Sequence, residues 1–126
     1  MALALQLGYD VSPDHARKTI EHRDPHRRLF VAVVPGVGVI GWVGVSARET
    51  LTSSWHAQIE GLVVEDEYRS NQIGVALLHR AESWGRDAGC TEVRVHSNVT
   101  RERARAFYER NGYGVLKTQR IFTKSI

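Results

Sequence analysis

Residues 57–89 constrain the whole chain, because they read as a strand, a short polar turn and an amphipathic helix. Ala57-Gln58-Ile59-Glu60-Gly61-Leu62-Val63-Val64 is mostly apolar, ends in aliphatic residues and carries a single carboxylate. Glu65-Asp66-Glu67-Tyr68 is a polar turn, and Arg69-Ser70-Asn71-Gln72-Ile73-Gly74-Val75 opens the helix. Ile73, Leu77, Ala81, Trp84 and Ala88 recur three or four residues apart, the period of one helical face. Gly89 follows, where a left-handed residue commonly ends a helix. Residues 91–96 then alternate polar and apolar, which predicts a strand parallel to the first, joined by a right-handed crossover.

The junction of strand and helix is where chemistry is expected. The first N–H groups of a helix lack intrahelical partners and carry the positive end of the dipole, so they suit phosphate oxygens. Gly74 permits close backbone approach, and Arg69 adds a cation. From spacing alone, an ordinary strand-to-helix turn accounts for the same residues.

The run Glu60-Gly61-Leu62-Val63-Val64, continued by Tyr68-Arg69-Ser70-Asn71-Gln72-Ile73-Gly74-Val75-Ala76-Leu77-Leu78, resembles the acetyl-CoA-binding motif of the GNAT superfamily of N-acetyltransferases. That motif is Arg or Gln, two residues, Gly, one residue, then Gly or Ala, after a strand ending in alternating aliphatics. Ser97-Asn98 followed by Ala104-Arg105-Ala106-Phe107-Tyr108-Glu109-Arg110-Asn111-Gly112-Tyr113 is similar to the family's next signature. The two runs keep the family's order and spacing, and the resemblance covers residues 29–126. Gln72 replaces the motif's first glycine and Ser70 another. A glutamine backbone at negative φ still donates its N–H, so the expected loss is conformational freedom. Asn71-Gln72-Ile73-Gly74 is also similar to some aminoglycoside 6′-N-acetyltransferases.

The resemblance implies an α/β fold, with residues 1–126 as a single GNAT-like domain. Its sheet is mixed and mostly antiparallel, splayed between two parallel central strands and flanked by helices. It implies acetyl-CoA as co-substrate, with Arg69, Ser70, Asn71, Gln72, Ile73, Gly74 and Val75 around the pyrophosphate. Backbone groups of Leu62, Val63 and Val64, together with Asn98, would hold the pantetheine arm. The Tyr108 hydroxyl would face the CoA sulfur, as the acid for the departing thiolate. Phe107 and Tyr108 fit equally well as core aromatics of an amphipathic helix.

Glu60 is the candidate base or acceptor anchor, because partial burial on the central strand would raise its pKa toward a useful value. His56, four residues earlier and so on the same strand face, is the alternative base or a water-relay partner. No activated nucleophile is evident, which points to direct attack of an amine in a ternary complex. Beside an N-acetyltransferase two readings stay open: a CoA-binding regulatory module that has lost catalysis, and a basic RNA-associated domain, which dispersed charge disfavours.

The acceptor is not legible. A polycationic aminoglycoside would need an acidic pocket, which Glu21, Asp24, Glu49 and Glu60 could form if the N-terminal helices pack over the cleft. A peptide or amino-acid amine would need less.

Composition excludes several classes. The chain has 126 residues, 42% hydrophobic and 25% charged, as one soluble globular domain requires. No apolar run approaches the ~20 residues of a membrane span, and no signal-peptide pattern opens the chain. One cysteine, Cys90, cannot form an internal disulfide, so a cytoplasmic protein with a buried spectator thiol is expected. The net charge of +3 suits a polyanionic cofactor, but the arginines are too dispersed for a nucleic-acid surface. Arg101, Arg103, Arg105 and Arg110 alternate with Glu102 and Glu109, as on a solvated face. His15, His22, His26, His79 and His96 lack metal-ligand spacing, and no metal is expected.

Elsewhere, residues 1–9 read as the tail of a helix and residues 13–23 as a second helix behind the cap residue Ser12. Strands are expected at 29–34 and 39–47 around a Pro35–Gly38 turn, then a polar loop at 48–55. Thr100 caps a helix reaching Arg110, with Ala104, Phe107 and Tyr108 inward and Asn111-Gly112 as its stop. Residues 113–117 and 120–124 fit a terminal hairpin. Family members ordinarily place a strand before the first helix, so here either that strand is absent or the sequence is a shortened form. Strand 29–34 would then be an open edge, and a homodimer through it or through the hairpin is expected.

Overall fold

The computed structural model describes residues 25–97 and 102–126, apart from the side chains of Ser70 and Asn71. The helices expected at 1–9 and 13–23, the question of a first strand, and Asn98 and Thr100 lie outside the described residues. The chain forms two compact units, residues 1–96 and 97–126. No helix among the described residues is long and apolar enough to cross a membrane.

In the first unit four strands form one sheet in the order β1-β2-β3-β4. They are β1 (Arg27–Val34), β2 (Gly38–Thr50), β3 (Ser53–Val64) and β4 (Val93–Val95). β1 with β2 and β2 with β3 are antiparallel, whereas β3 with β4 is parallel. This is the mixed, mostly antiparallel sheet expected from the sequence. Helix α1 (Ile73–Asp87) links the two parallel strands. Among the described residues β1 is an outer strand, with Val31 and Val33 on it 48% and 59% exposed.

The polar loop expected at 48–55 is a tight hairpin end instead. β2 runs on to Thr50 and β3 starts at Ser53, leaving only Leu51 and Thr52 as the turn. The hydroxyls account for this: Thr50 Oγ1 lies 2.6 Å from Ser53 Oγ and accepts from the Thr52 N–H at 3.3 Å. Polar side chains that satisfy one another, on a β-branched backbone, extend a hairpin rather than interrupt it.

The core lies between α1 and the sheet, where Val43, Val45 and Leu78 are fully buried; Val63, paired with Trp42, is fully buried on the opposite face. The helix buries Leu77, Leu78, Ala81 and Gly85. Ile73 and Trp84 of the expected stripe are half-buried, and Ala88 is exposed, so the inward face is rotated toward Leu78 and Gly85. As expected, Gly89 ends the helix, at φ 92°. The Cys90 N–H donates to the Gly85 carbonyl at 2.9 Å and the Gly89 N–H to the Arg86 carbonyl at 3.1 Å, a Schellman pair. Trp55 Nε1 donates to the Ala88 carbonyl at 2.9 Å, tying the start of β3 to the same helix end.

In the second unit, helix α2 (Glu102–Arg110) turns its least exposed residues, Ala104, Phe107 and Tyr108, to one side as expected. Arg105 Nε donates to Glu109 Oε1 at 2.8 Å along its outer face. The Asn111-Gly112 stop is present: the Tyr113 N–H donates to the Tyr108 carbonyl at 3.0 Å, with Gly112 at φ 91°. The terminal hairpin is not formed, since residues 113–126 carry no strand. A lone pair of strands is marginal without cover for its apolar face, and Val115, Leu116, Ile121 and Phe122 are all exposed.

A close helix-to-sheet approach at Gly85 gives a test. A Cβ on Gly85 would sit 2.8 Å from the Cβ of Ala57, which is itself fully buried. Gly→Ala in a helix ordinarily gains about 1 kcal/mol, whereas overpacking costs about 1–3 kcal/mol. Gly85→Ala is therefore expected to lower stability in a urea melt. Increased stability would show that the helix can lift away freely.

Candidate active site

β3 leaves its parallel neighbour at Glu60. β4 pairs with Ala57, Gln58 and Ile59 only, so residues 60–64 run on without it. Glu60 is also the extra residue of a β-bulge: Gly44 of β2 pairs with Gly61, and Val45 with Ile59, leaving Glu60 without a partner. Such bulges bend a strand and re-aim its side chains. Beside it, the Trp42 indole lies where a Cβ on Gly61 would be, at 2.7 Å, so only glycine fits there.

The ladder also sets which backbone groups point into the opening. The Glu65 N–H donates to the Ile40 carbonyl at 2.8 Å, and hydrogen-bonded pairs alternate along an antiparallel ladder. Gly61 and Val63 therefore turn their N–H and C=O toward β2, while Leu62 and Val64 turn theirs to the open edge. The Val64 carbonyl accepts from Arg69 Nε at 3.2 Å on that side. Of Leu62, Val63 and Val64, the middle one faces away from the opening. Its carbonyl lies against Gly41 of β2.

A 3-10 turn (Asp66–Asn71) follows, so α1 begins at Ile73 rather than near Arg69. Arg69 pairs with Asp66 at 2.8 Å as well as with the Val64 carbonyl, and so fastens the turn to the end of β3. Gln72 has φ 58° and ψ 21°, so it stands in the left-handed region and not at negative φ. It is the one non-glycine residue with positive φ among those described. The position thus demands the left-handed conformation that glycine adopts freely, and the chain holds it with a glutamine at a cost in strain. Gln72, the N-cap of α1, makes no side-chain cap hydrogen bond and the first turn has no acid, which leaves the N–H groups of Ile73, Gly74 and Val75 suited to an anion.

Glu60 as a whole residue is exposed, but its side chain is only 26% exposed and its carboxylate is held by two guanidiniums. Arg27 Nη2 and Arg48 Nη2 each reach the same oxygen, Oε1, at 3.0 Å. Arg48 Nε also donates to Ser46 Oγ at 2.9 Å. These residues share the sheet face away from α1. His56 lies on that face too, 4% exposed, with Nδ1 2.9 Å from the Ser54 carbonyl. A carbonyl only accepts, so Nδ1 carries the proton, and in the neutral ring Nε2 is the acceptor.

The sequence reading missed Arg27, Arg48 and Trp42. Alternation along β2 offered a signal for Arg48, since Trp42, Gly44, Ser46 and Arg48 fall on one side and Val43, Val45 and Ala47 on the other. Arg27 carried none.

Burial pushes the Cys90 thiol up, away from the reactive thiolate. Among the described residues no cluster of three or more His, Cys, Asp or Glu could hold a metal ion. Tyr108 belongs to the second unit, where its ring stands edge-on to Phe107 at 5.2 Å and to Tyr113 at 5.6 Å. Asn98 and the side chains of Ser70 and Asn71 lie outside what is described.

A splayed parallel pair beside an uncapped helix start defines the class. The chain belongs to the Acetyltransferase (GNAT) family, which matches residues 4–113, and GNAT enzymes use acetyl-CoA. It is 30% identical over 101 residues to an aminoglycoside N(6′)-acetyltransferase type 1 of Klebsiella aerogenes, covering 78% of this chain and 66% of that protein. It is 38% identical over 104 residues to an aminoalkylphosphonate N-acetyltransferase of Salmonella typhimurium, covering 82% and 66%. The chain thus spans just under two thirds of the length of these two relatives. Among solved structures, the aminoglycoside acetyltransferase AAC(6′)-Iy with a bisubstrate analogue superposes with a TM-score of 0.85. That match has 22% identity and covers 99% of this chain and 88% of the other.

Gln72 offers a direct test of the turn. Gln72→Gly relieves the left-handed strain, and after glycine's larger unfolded-state entropy the net gain is expected at about 0.5–1 kcal/mol. Gln72→Val should destabilise instead. If the glycine variant melts lower than the parent, the turn is not strained at this residue.

Proposed function

We propose that this protein moves an acetyl group from acetyl-CoA to a primary amine by direct attack in a ternary complex. The observation that carries this reading is the open edge of β3 beyond Glu60, which ends against the uncapped start of α1. An extended amide arm can pair with Leu62 and Val64 as an added strand would, while its pyrophosphate rests on the N–H groups of Ile73, Gly74 and Val75. Arg69 shapes that turn, and Asn98 contacts the arm as the resemblance implies.

In the reaction the free amine adds through its lone pair to the thioester carbonyl. A C–N bond forms, the C–S bond breaks, and the sulfur leaves with the bonding pair. Glu60 anchors the ammonium and takes its proton directly or through water, with His56 Nε2 as the alternative acceptor. Tyr108 returns a proton to the thiolate, since a phenol with pKa near ~10 is protonated at neutral pH. The relatives named for their acceptors act on aminoglycosides and aminoalkylphosphonates, both of which present amines.

Release of free CoA thiol in the presence of an amine panel tests the reading. Tyr108→Phe keeps the ring and removes the hydroxyl, so kcat should fall by at least ~10²-fold with acetyl-CoA affinity little changed. Near-full turnover of that variant would leave Tyr108 a packing residue. Acetyl-CoA binding with no turnover of any amine would favour the regulatory module.

A further inference from the structure

Glu21 and Asp24 of the expected acidic pocket lie outside the described residues; among those described, the carboxylate of Glu60 is matched by arginines. Two guanidiniums converge on one oxygen of one carboxylate, and Arg27 and Arg48 also line an open pocket of about 380 Å³. His26, Ser46, Ala47, Glu49 and Thr50 complete its wall. Among the described residues, Arg27 and Arg48 against Glu49 and Glu60 leave the region formally balanced, with cation and carboxylate side by side.

Several donors there have no acceptor. Glu60 takes only Nη2 from each arginine, and Ser46 takes only Nε of Arg48. Nη1 of both arginines makes no hydrogen bond among the described residues. Arg27 Nε is buried without a partner, and so is Trp42 Nε1, on the same sheet face beside Gly61. Those two buried atoms are closed to a ligand, whereas the Arg27 and Arg48 side chains are 38% and 51% exposed, so their free Nη1 donors suit a ligand rich in acceptor oxygens better than a polyamine. On the other side of the balance, Glu60 Oε2 makes no hydrogen bond among the described residues and remains open to an ammonium.

We infer that the acceptor is a small zwitterionic amine, its oxyanion held by Arg27 and Arg48 while its amine is presented at Glu60. This rests on the acetyltransferase reading and narrows it. Guanidiniums recognise phosphonate and carboxylate oxygens through the same forked, charge-assisted bonds, so the shared chemistry is an oxyanion a few bonds from an amine. A polycationic aminoglycoside would set ammonium groups against the two arginines, which like charge disfavours.

The experiment uses the 126-residue chain, acetyl-CoA and four amines: 2-aminoethylphosphonate, β-alanine, ethylamine and kanamycin. An acetyl-CoA thermal shift is read first, because its absence overturns the acetyltransferase reading and this inference with it. With the shift present, kcat/KM for the phosphonate or the carboxylate should exceed that for ethylamine by about tenfold or more, and the ratio of the two reports which oxyanion the site prefers. Arg27→Gln and Arg48→Gln should lower kcat/KM for the zwitterion by about tenfold more than for ethylamine and keep the acetyl-CoA shift; Arg48→Lys should recover part of that difference. If acetyl-CoA binds but neither zwitterion is turned over, or if ethylamine or kanamycin matches them, the inference is wrong. The acetyltransferase reading survives that outcome wherever any amine is acetylated.

Discussion

Glu60 has no partner across the ladder, and the functional geometry depends on that gap. The bulge bends β3 at the residue where β4 stops pairing, between Ile59 and the free run of residues 60–64. Sheet strands keep their spacing because each is bonded on both sides. Once β3 is bonded only toward β2, its other edge presents unpaired groups to whatever occupies the opening. In a globular protein such an edge is a liability unless something fills it. In the proposed reading a co-substrate with an extended amide arm fills it, and the defect in the sheet becomes the binding site. Gly61 and Trp42 maintain the defect, since a side chain at Gly61 would collide with the indole.

The second constraint is the turn after β3. Arg69 anchors it to the Val64 carbonyl and to Asp66, and Gln72 accepts a left-handed backbone to start α1. Strain of about 1–2 kcal/mol at a non-glycine residue persists only where the surrounding contacts over-determine it. Here they do: Leu77, Leu78 and Ala81 are locked in the core, while the Schellman pair and Trp55 hold the far end of the helix. The helix start is thus held rigidly at the mouth of the opening.

Most of this was legible in the sequence where a period or a stop signal carried it. The 57–89 unit, the Gly89 and Gly112 stops and the parallel pairing followed from residue spacing and glycine placement. What was not legible depended on pairing between distant residues. The bulge at Glu60 is a property of the β2–β3 register, and no local pattern announces it. Arg27 reaches Glu60 from a strand two places away, 33 residues earlier in the chain. The polarity of Thr50, Thr52 and Ser53 suggested a loop because mutual hydroxyl bonding is invisible without coordinates. Gln72 was read as a replaced glycine with less conformational freedom, and the turn holds it at a left-handed φ that glycine adopts freely.

The parity of β3 allows the central claim to be measured directly. Amide hydrogen exchange, residue by residue from Gly61 to Val64, would be compared with and without CoA. The account predicts new protection at Leu62 and Val64, whose N–H groups face the opening, and little change at Gly61 and Val63, already bonded to β2. Equal protection along the strand, or none at Leu62 and Val64 while CoA is bound, would contradict it.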